Sequence, residues 1–330
     1  MERRTFITGG LFLGSFALSR LTNAQPTRRV YRIGALTIGA LAVDTAGAEP
    51  RATNPKALLG GLRELGYIYG ENFVTEPRGS EVPLERLPAV AAEMVRLQLD
   101  VIVAAGPWLA ALKLATSTIP VVMAGGEDPV GQGIVKSLGR PGGNFTGISN
   151  QSVELTPKRL ELLKELVPGM ASVAVLWDPN AVEQWRVAEA AARDRGWSLL
   201  SFKARNAGEI EVAVKAAAAR SVGLLAVGGL AFRHAELIAE LAARSRLPVV
   251  FGNRQSVVED GGLISYGADL AEIWRRAAVF VDKILKGAKP ADLPIEQPTK
   301  FELIINVRAA NRIGLTIPPS MLLRAHEVIR

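Results

Sequence analysis

One supersecondary pattern runs twice through this chain, and it restricts the fold more than any other feature. In the first copy, Tyr31-Arg32-Ile33-Gly34-Ala35-Leu36 reads as a strand. A helix follows near residues 55–65 and stops at Gly66, a natural left-handed C-terminal cap. A strand lies near 72–76. A helix covers about 84–97, with Leu87, Val90, Ala91, Met94 and Val95 on one face. Asp100-Val101-Ile102-Val103-Ala104 is then an apolar strand of the kind buried on both sides. The second copy keeps this order, with a strand at 172–177, a helix over 181–195 ending at Gly196-Trp197, a strand at 199–204, a helix over 209–219 and a buried strand at 222–227.

The two copies also agree in their later parts. Ile119-Pro120-Val121-Val122-Met123 parallels Leu247-Pro248-Val249-Val250-Phe251, and Gly142-Gly143-Asn144-Phe145-Thr146 parallels Gly261-Gly262-Leu263-Ile264-Ser265. Strands alternating with helices predict α/β units on parallel sheets. Two copies, roughly 31–148 and 152–265, predict two Rossmann-like lobes. Beyond them a helix over 269–285, a stretch punctuated by Pro290, Pro294 and Pro298, a strand at 301–306 and a short helix ending near Gly314 continue the chain. A tail that returns to the first lobe makes several crossings, hence a hinge. The expected organisation is a first lobe of 25–148 plus about 267–299 and a second of 149–266. The place of 300–330 is left open.

Open α/β sheets bind ligands beyond the C-terminal ends of their strands. The residues at those ends are therefore the candidates for ligand binding. In the first copy they are Thr37, then Ala105, Gly106 and Trp108, then Gly126 and Asp128. In the second they are Asp178 and Asn180, then Gly229, Asn253 and Tyr266. Gly106-Pro107 suits a helix start whose free N–H groups could hold a carboxylate. Asp128 could accept from an ammonium or hydroxyl group. Trp108, Trp177 and Tyr266 could wall the cleft. The bland alternative for Asp128 and Asp178, each followed by proline, is a turn or a helix start.

The chain has no cysteine, which removes thiol catalysis, disulfides, zinc-thiolate sites and a lipidated N-terminal cysteine. The N-terminus pairs Arg3-Arg4 with Thr5-Phe6-Ile7, then an apolar run to Leu18 and small residues to Ala24. That pattern predicts an export signal over residues 1–24 that resembles the twin-arginine type, expected to be cut after Ala24. The apolar run is short for a membrane span. The net charge of +7 falls to +5 without the leader. Interleaved charges such as Lys158-Arg159-Leu160-Glu161 fit a solvated surface, not a nucleic-acid footprint. Only residues 43–54 look unstructured by composition.

Several motifs together resemble one family. They are Glu2-Arg3-Arg4-Thr5-Phe6-Ile7, Gly61-Leu62-Arg63-Glu64-Leu65-Gly66-Tyr67, Asp128-Pro129-Val130 and the run Arg140 to Gly147. Lys158-Arg159-Leu160-Glu161-Leu162-Leu163, the run Gly261 to Gly267, and Ala291-Asp292-Leu293-Pro294 through Asn306 complete the set. The chain resembles substrate-binding proteins of ABC transporters, in the group with TrpX-like tryptophan- and tyrosine-binding proteins. The resemblance implies a type I periplasmic-binding-protein fold with a cleft between its lobes. It further implies capture of a small molecule, guessed as an amino acid or small aromatic carboxylate, and delivery to an ABC permease of the inner membrane. No cofactor, a periplasmic location and a monomeric state are expected. This sequence departs from the family pattern at Asp178-Pro179-Asn180, where a second proline is missing, and in the longer loop from Thr37 to Asn54.

Other readings carry less. A sensory binding module feeding a receptor kinase would use the same fold. An enzyme would have to work with His234 and His326 alone, without a Gly-x-Ser-x-Gly elbow, a metal-ligand cluster or a dinucleotide fingerprint. Glu127-Asp128 is a possible catalytic carboxylate pair, although adjacent side chains usually diverge.

Overall fold

The computed structural model describes residues 29–220 and 223–330. The leader, its cleavage point after Ala24, and Val222 lie outside the described residues. In chain order the elements are β1 (Tyr31–Leu36), α1 (Ala42–Thr45), α2 (Thr53–Glu64), β2 (Phe73–Arg78), α3 (Leu87–Arg96), β3 (Val101–Ala104), α4 (Trp108–Ala115), β4 (Val121–Gly126) and β5 (Phe145–Ser149). They continue as α5 (Thr156–Leu166), β6 (Ser172–Trp177), α6 (Val182–Asp194), β7 (Ser198–Lys203), α7 (Ala207–Ala218), β8 (Leu224–Ala226), α8 (Gly229–Arg233), α9 (Ala235–Arg244), β9 (Val249–Phe251), α10 (Gln255–Val258) and β10 (Ile264–Ala268). The tail holds α11 (Leu270–Leu285), β11 (Phe301–Asn306), α12 (Val307–Arg312), α13 (Pro319–Arg324) and β12 (Glu327–Ile329).

The repeat is real at the level of topology. One sheet runs β2-β1-β3-β4-β5, and all its strands are parallel. The other runs β7-β6-β8-β9-β10, the same order, and then adds β11 antiparallel to β10 and β12 parallel to β11. Even the helix ends repeat. Gly66 and Gly196 both take positive φ, and the N–H of the aromatic that follows each reaches back to the carbonyl of Leu62 or Ala192. That is a Schellman cap in both lobes.

The first sheet is covered on both faces, as its apolar strands demand. Along β3, Ile102 and Ala104 face α3 and α4, packing with Met94 and Trp108. Val101 and Val103 face α2 and α11, packing with Leu58, Leu62 and Trp274. Helices α2 and α11 touch closely because position 61 is glycine: a Cβ there would lie 2.5 Å from the Arg275 carbonyl oxygen. The second sheet is sandwiched by its own helices in one continuous core.

The chain crosses between the lobes three times, after β5, after β10 and before β11. Between the last two crossings it lies on the first lobe. Here α11 packs on α2, and the carbonyls of Leu293 and Leu138 tie residues 293–295 to β5 and its neighbours. Residues 43–54 are more ordered than their composition suggests. α1 forms there, and the Asp44 carbonyl accepts from the N–H groups of Arg51 and Ala52, closing the loop on itself.

Candidate functional site

The C-terminal ends of the strands of both sheets face one another, and a cavity lies between them. The first lobe contributes Thr37, Ile38 and Gly39 after β1, Ala105 and Gly106 after β3, and Gly125 and Glu127 at and after the end of β4. The second contributes Val227, Gly228 and Gly229 after β8 and Gly252 and Asn253 after β9. The crossing segments supply Asn150, Ser152 and Leu270. The cavity holds about 820 Å³ of atom-free space, its open mouth included.

The two lobes touch around this cavity. Arg233 Nη1 donates to the carbonyls of Val82 (2.9 Å) and Ser80 (3.3 Å) across the cleft. Thr53 Oγ1 donates to Glu259 Oε1 at 3.2 Å. The ring of Phe232 lies over Gly39, where a side chain would overlap it, and Gly229 faces the Pro107 ring. This is a closed arrangement.

The floor of the cavity is fastened by Arg159, which is 1% exposed. Its Nε donates to the Tyr266 carbonyl (2.7 Å), Nη1 to Ser152 O (2.8 Å) and Oγ (3.1 Å), and Nη2 to the Gly252 carbonyl (3.3 Å). One guanidinium therefore ties the crossing segment after β5 to strand β10 and to the end of β9. Every one of these acceptors is neutral. Burial lowers the Arg159 pKa to about 10, against the pull of Glu127 and Tyr266. Gln184 donates through Nε2 to the same Ser152 oxygens (3.1 and 3.2 Å). Its Oε1, and Oδ1 of Asn54, are buried acceptors on cavity-lining residues with no partner among the described residues.

Glu127 is the acidic group of the cavity. It is half-buried and borders the cavity. Burial pushes its pKa up to about 7, helped by the Asp178 charge and opposed by Arg159. Asp178 is itself buried, and burial raises its pKa, while the N–H groups of Leu230 (2.9 Å) and Asn180 (2.8 Å) hold its oxygens and pull the other way. Gly228, at φ +89°, leaves room for that carboxylate, since a Cβ there would overlap Asp178 Oδ2.

The sequence candidates divide by where the structure puts them. Thr37, Ala105, Gly106, Gly229 and Asn253 line the cavity. Asp178 and Asn180 border an adjoining cavity that shares Gly106, Glu127 and Gly229 with the first. Trp108 is not a cleft wall. It is 0% exposed inside the first lobe, and its indole Nε1 donates to the Thr37 carbonyl at 3.0 Å. Asp128 points into its own loop, where Oδ1 accepts from the Gly131 N–H at 2.8 Å, the turn role that a residue before proline favours. Gly126 ends β4 one step away from the lining residues. The Tyr266 side chain packs on Phe301 and only its carbonyl turns to Arg159. Trp177 stacks on Trp185 and bonds Ser201 Oγ, outside the cleft.

Trp108→Phe tests that correction. It leaves the Thr37 carbonyl without its donor, an unpaired buried acceptor worth about 1–3 kcal/mol. Urea unfolding is expected to show a loss of that size.

Arg159, Gln184, Asn54 and Phe232 were not picked out as site residues from the sequence. A signal existed for two of them. Arg159 sits on the buried face of α5 beside Leu160 and Leu163, and Gln184 on the buried face of α6 with Ala188 and Ala191. A polar residue inside an apolar helical stripe must find buried partners.

Two α/β lobes of matching topology, closed over a cavity at their strand ends, define a bilobal binding protein of the periplasmic type. The chain matches the family of ABC transporter substrate binding proteins over residues 50–329 and belongs to that family. It is 24% identical over 257 residues to the tyrosine-binding protein of Clostridioides difficile strain R20291, covering 76% of this chain and 73% of that protein. Among solved structures, a conserved domain protein from Vibrio cholerae O1 biovar El Tor superposes with a TM-score of 0.81 at 30% identity, covering 90% of this chain and 99% of that one. The ABC domain in complex with L-Trp from Streptococcus pneumoniae superposes with a TM-score of 0.80 at 26% identity, covering 91% and 99%. No described helix is long and apolar enough to cross a membrane.

Proposed function

We propose that this protein captures a free amino acid, with an aromatic one favoured, by closing its lobes, and hands it to an ABC permease after export to the periplasm. The observation that carries the reading is the charge layout of the cavity. A buried guanidinium with only neutral acceptors and the Glu127 carboxyl both border the cavity, and the unpaired acceptors of Asn54 and Gln184 belong to its lining residues. A zwitterion matches this layout. Its ammonium meets Glu127 and the free oxygens, and its carboxylate lies in the positive field of Arg159. Relatives that bind tyrosine and L-Trp support the same class. The work is binding alone. Ligand contacts from both lobes shift the population toward the closed form, which docks on the permease.

A thermal-shift screen of the protein from Gln25 onward tests this reading. L-tryptophan and L-tyrosine are expected to raise the melting temperature saturably, because a ligand that prefers the native state stabilises it. No shift with any amino acid would sink it. Arg233 acts as a latch in this scheme, since its bonds to Ser80 and Val82 exist only when the lobes are closed. Arg233→Ala is expected to weaken binding about tenfold, the loss of one or two bonds from a charged donor, and to speed ligand release in stopped-flow measurements.

A further inference from the structure

Glu127 borders more than one space. Beyond it lies a second space, with about 1200 Å³ free of atoms, mouth included. Gly106, Glu127 and Gly229 belong to both. The shared end is polar, with Asp178 and Asn180 added to Glu127. Farther out the lining turns apolar, with Leu84, Leu87, Ala110, Ala111 and Leu114 from the first lobe and Leu230 from the second. The annex is thus lined by both lobes. Leu114, on its lining, is 84% exposed, a large apolar side chain left beside open space. Two of the shared residues are glycines, Gly106 in the first lobe and Gly229 in the second. Gly229 opposes Pro107, and a Cβ there would already touch the proline ring at 3.4 Å.

We propose that the annex is a second subsite, which takes the apolar side chain of an amino acid whose charged groups are held in the first cavity. The inference rests on the amino-acid reading above. An ammonium at Glu127 sets the ligand's α-carbon at the boundary of the two spaces. The carboxylate then points toward Arg159 and the side chain can run the opposite way, over Ala110 and Ala111. The class selected is an amino acid with an extended aryl or alkyl side chain, longer than one aromatic ring. Apolar surface removed from water in the annex would strengthen binding with each added group.

The test is calorimetric titration of the whole mature chain with L-alanine, L-tryptophan and L-4-phenylphenylalanine. The biphenyl ligand is expected to bind at least tenfold more tightly than L-alanine. Ala110→Trp, at an exposed helix position, fills the annex. It is expected to weaken the biphenyl ligand at least tenfold, to change L-alanine less than twofold, and to keep the wild-type melting temperature. Tryptophan binding accompanied by rejection of the biphenyl ligand, or by indifference to Ala110→Trp, overturns the annex and leaves the amino-acid reading intact. Failure of all three ligands overturns both.

Discussion

Glu127→Gln is expected to weaken tryptophan binding about 30-fold or more at pH 8 while making the ligand-free protein more stable. Removing one member of a buried charge pair costs about 2–5 kcal/mol of binding, and 1.4 kcal/mol is a factor of ten. The opposite effect on stability follows from the direction of the pKa shift. Burial and Asp178 raise Glu127 from 4.5 to about 7 in the folded, empty cavity. A carboxyl raised on folding favours the native state when protonated. Its contribution is full below the unfolded value and is lost as pH rises through about 7. At pH 8 the wild type carries an ionised, poorly solvated group, and glutamine relieves that burden. Each kcal/mol so relieved raises the melting temperature about 2–4 °C for a chain of this kind. Ligand affinity has the reverse pH dependence. An ammonium needs the ionised carboxylate, so wild-type affinity climbs as pH passes upward through about 7 and then levels. Binding at pH 6 releases a proton, which calorimetry in buffers of different ionisation enthalpy will count. Asp178, also raised, works in the same direction. The glutamine variant has lost that part of the pH dependence. Unchanged affinity in the variant would remove Glu127 from the ligand's surroundings.

Gly39→Leu is expected to cost about 10- to 100-fold in affinity with little change in the stability of the ligand-free chain. Gly39 is exposed on the first lobe, and the Phe232 ring of the second lobe lies where its side chain would be. Overpacking of this kind costs about 1–3 kcal/mol, but only when the lobes are closed. The variant therefore lowers the closed fraction, and apparent affinity falls with it. Small-angle scattering separates this from local damage. Wild-type protein with saturating tryptophan should become more compact, whereas the leucine variant should need far more ligand to do so. Gly39→Leu combined with Phe232→Ala restores the space and is expected to recover most of the affinity. Without that recovery, the loss does not arise from lobe contact.

The fold was readable from sequence because its signals are local. Apolar runs such as Val101-Ile102-Val103-Ala104, glycine caps at Gly66 and Gly196, and their recurrence in the second half need no knowledge of distant residues. The place of the cavity was readable for the same reason, since strand ends are local features. Which side chains enter it was not. Trp108 and Trp177 sit beside strand ends, yet one turns into the core and the other to the outer face, and sequence spacing carries no sign of that direction. Arg159 and Gln184 reach the cavity floor from α5 and α6, converging on Ser152. Only the tertiary path of the chain brings them together. Glu127 was noticed as half of an acidic pair, but its partner in space is Asp178, 51 residues on, not Asp128.

The way the tail threads back bears on how this molecule is born. Helix α11 supplies buried Ile273, Trp274, Phe280, Val281 and Ile284 to the first lobe, more than 120 residues after that lobe's last strand. Their burial is worth on the order of 10 kcal/mol, comparable to the whole stability of an ordinary domain. A ribosome that has released the first 150 residues has therefore released a lobe that cannot yet stand alone. The early half waits on the late half, long-range contacts close last, and slow, all-or-none assembly follows from the connectivity. A chain with this wiring completes the core of its first lobe only once α11 has been made, so a folded first lobe is a product of the whole chain and not of its first half.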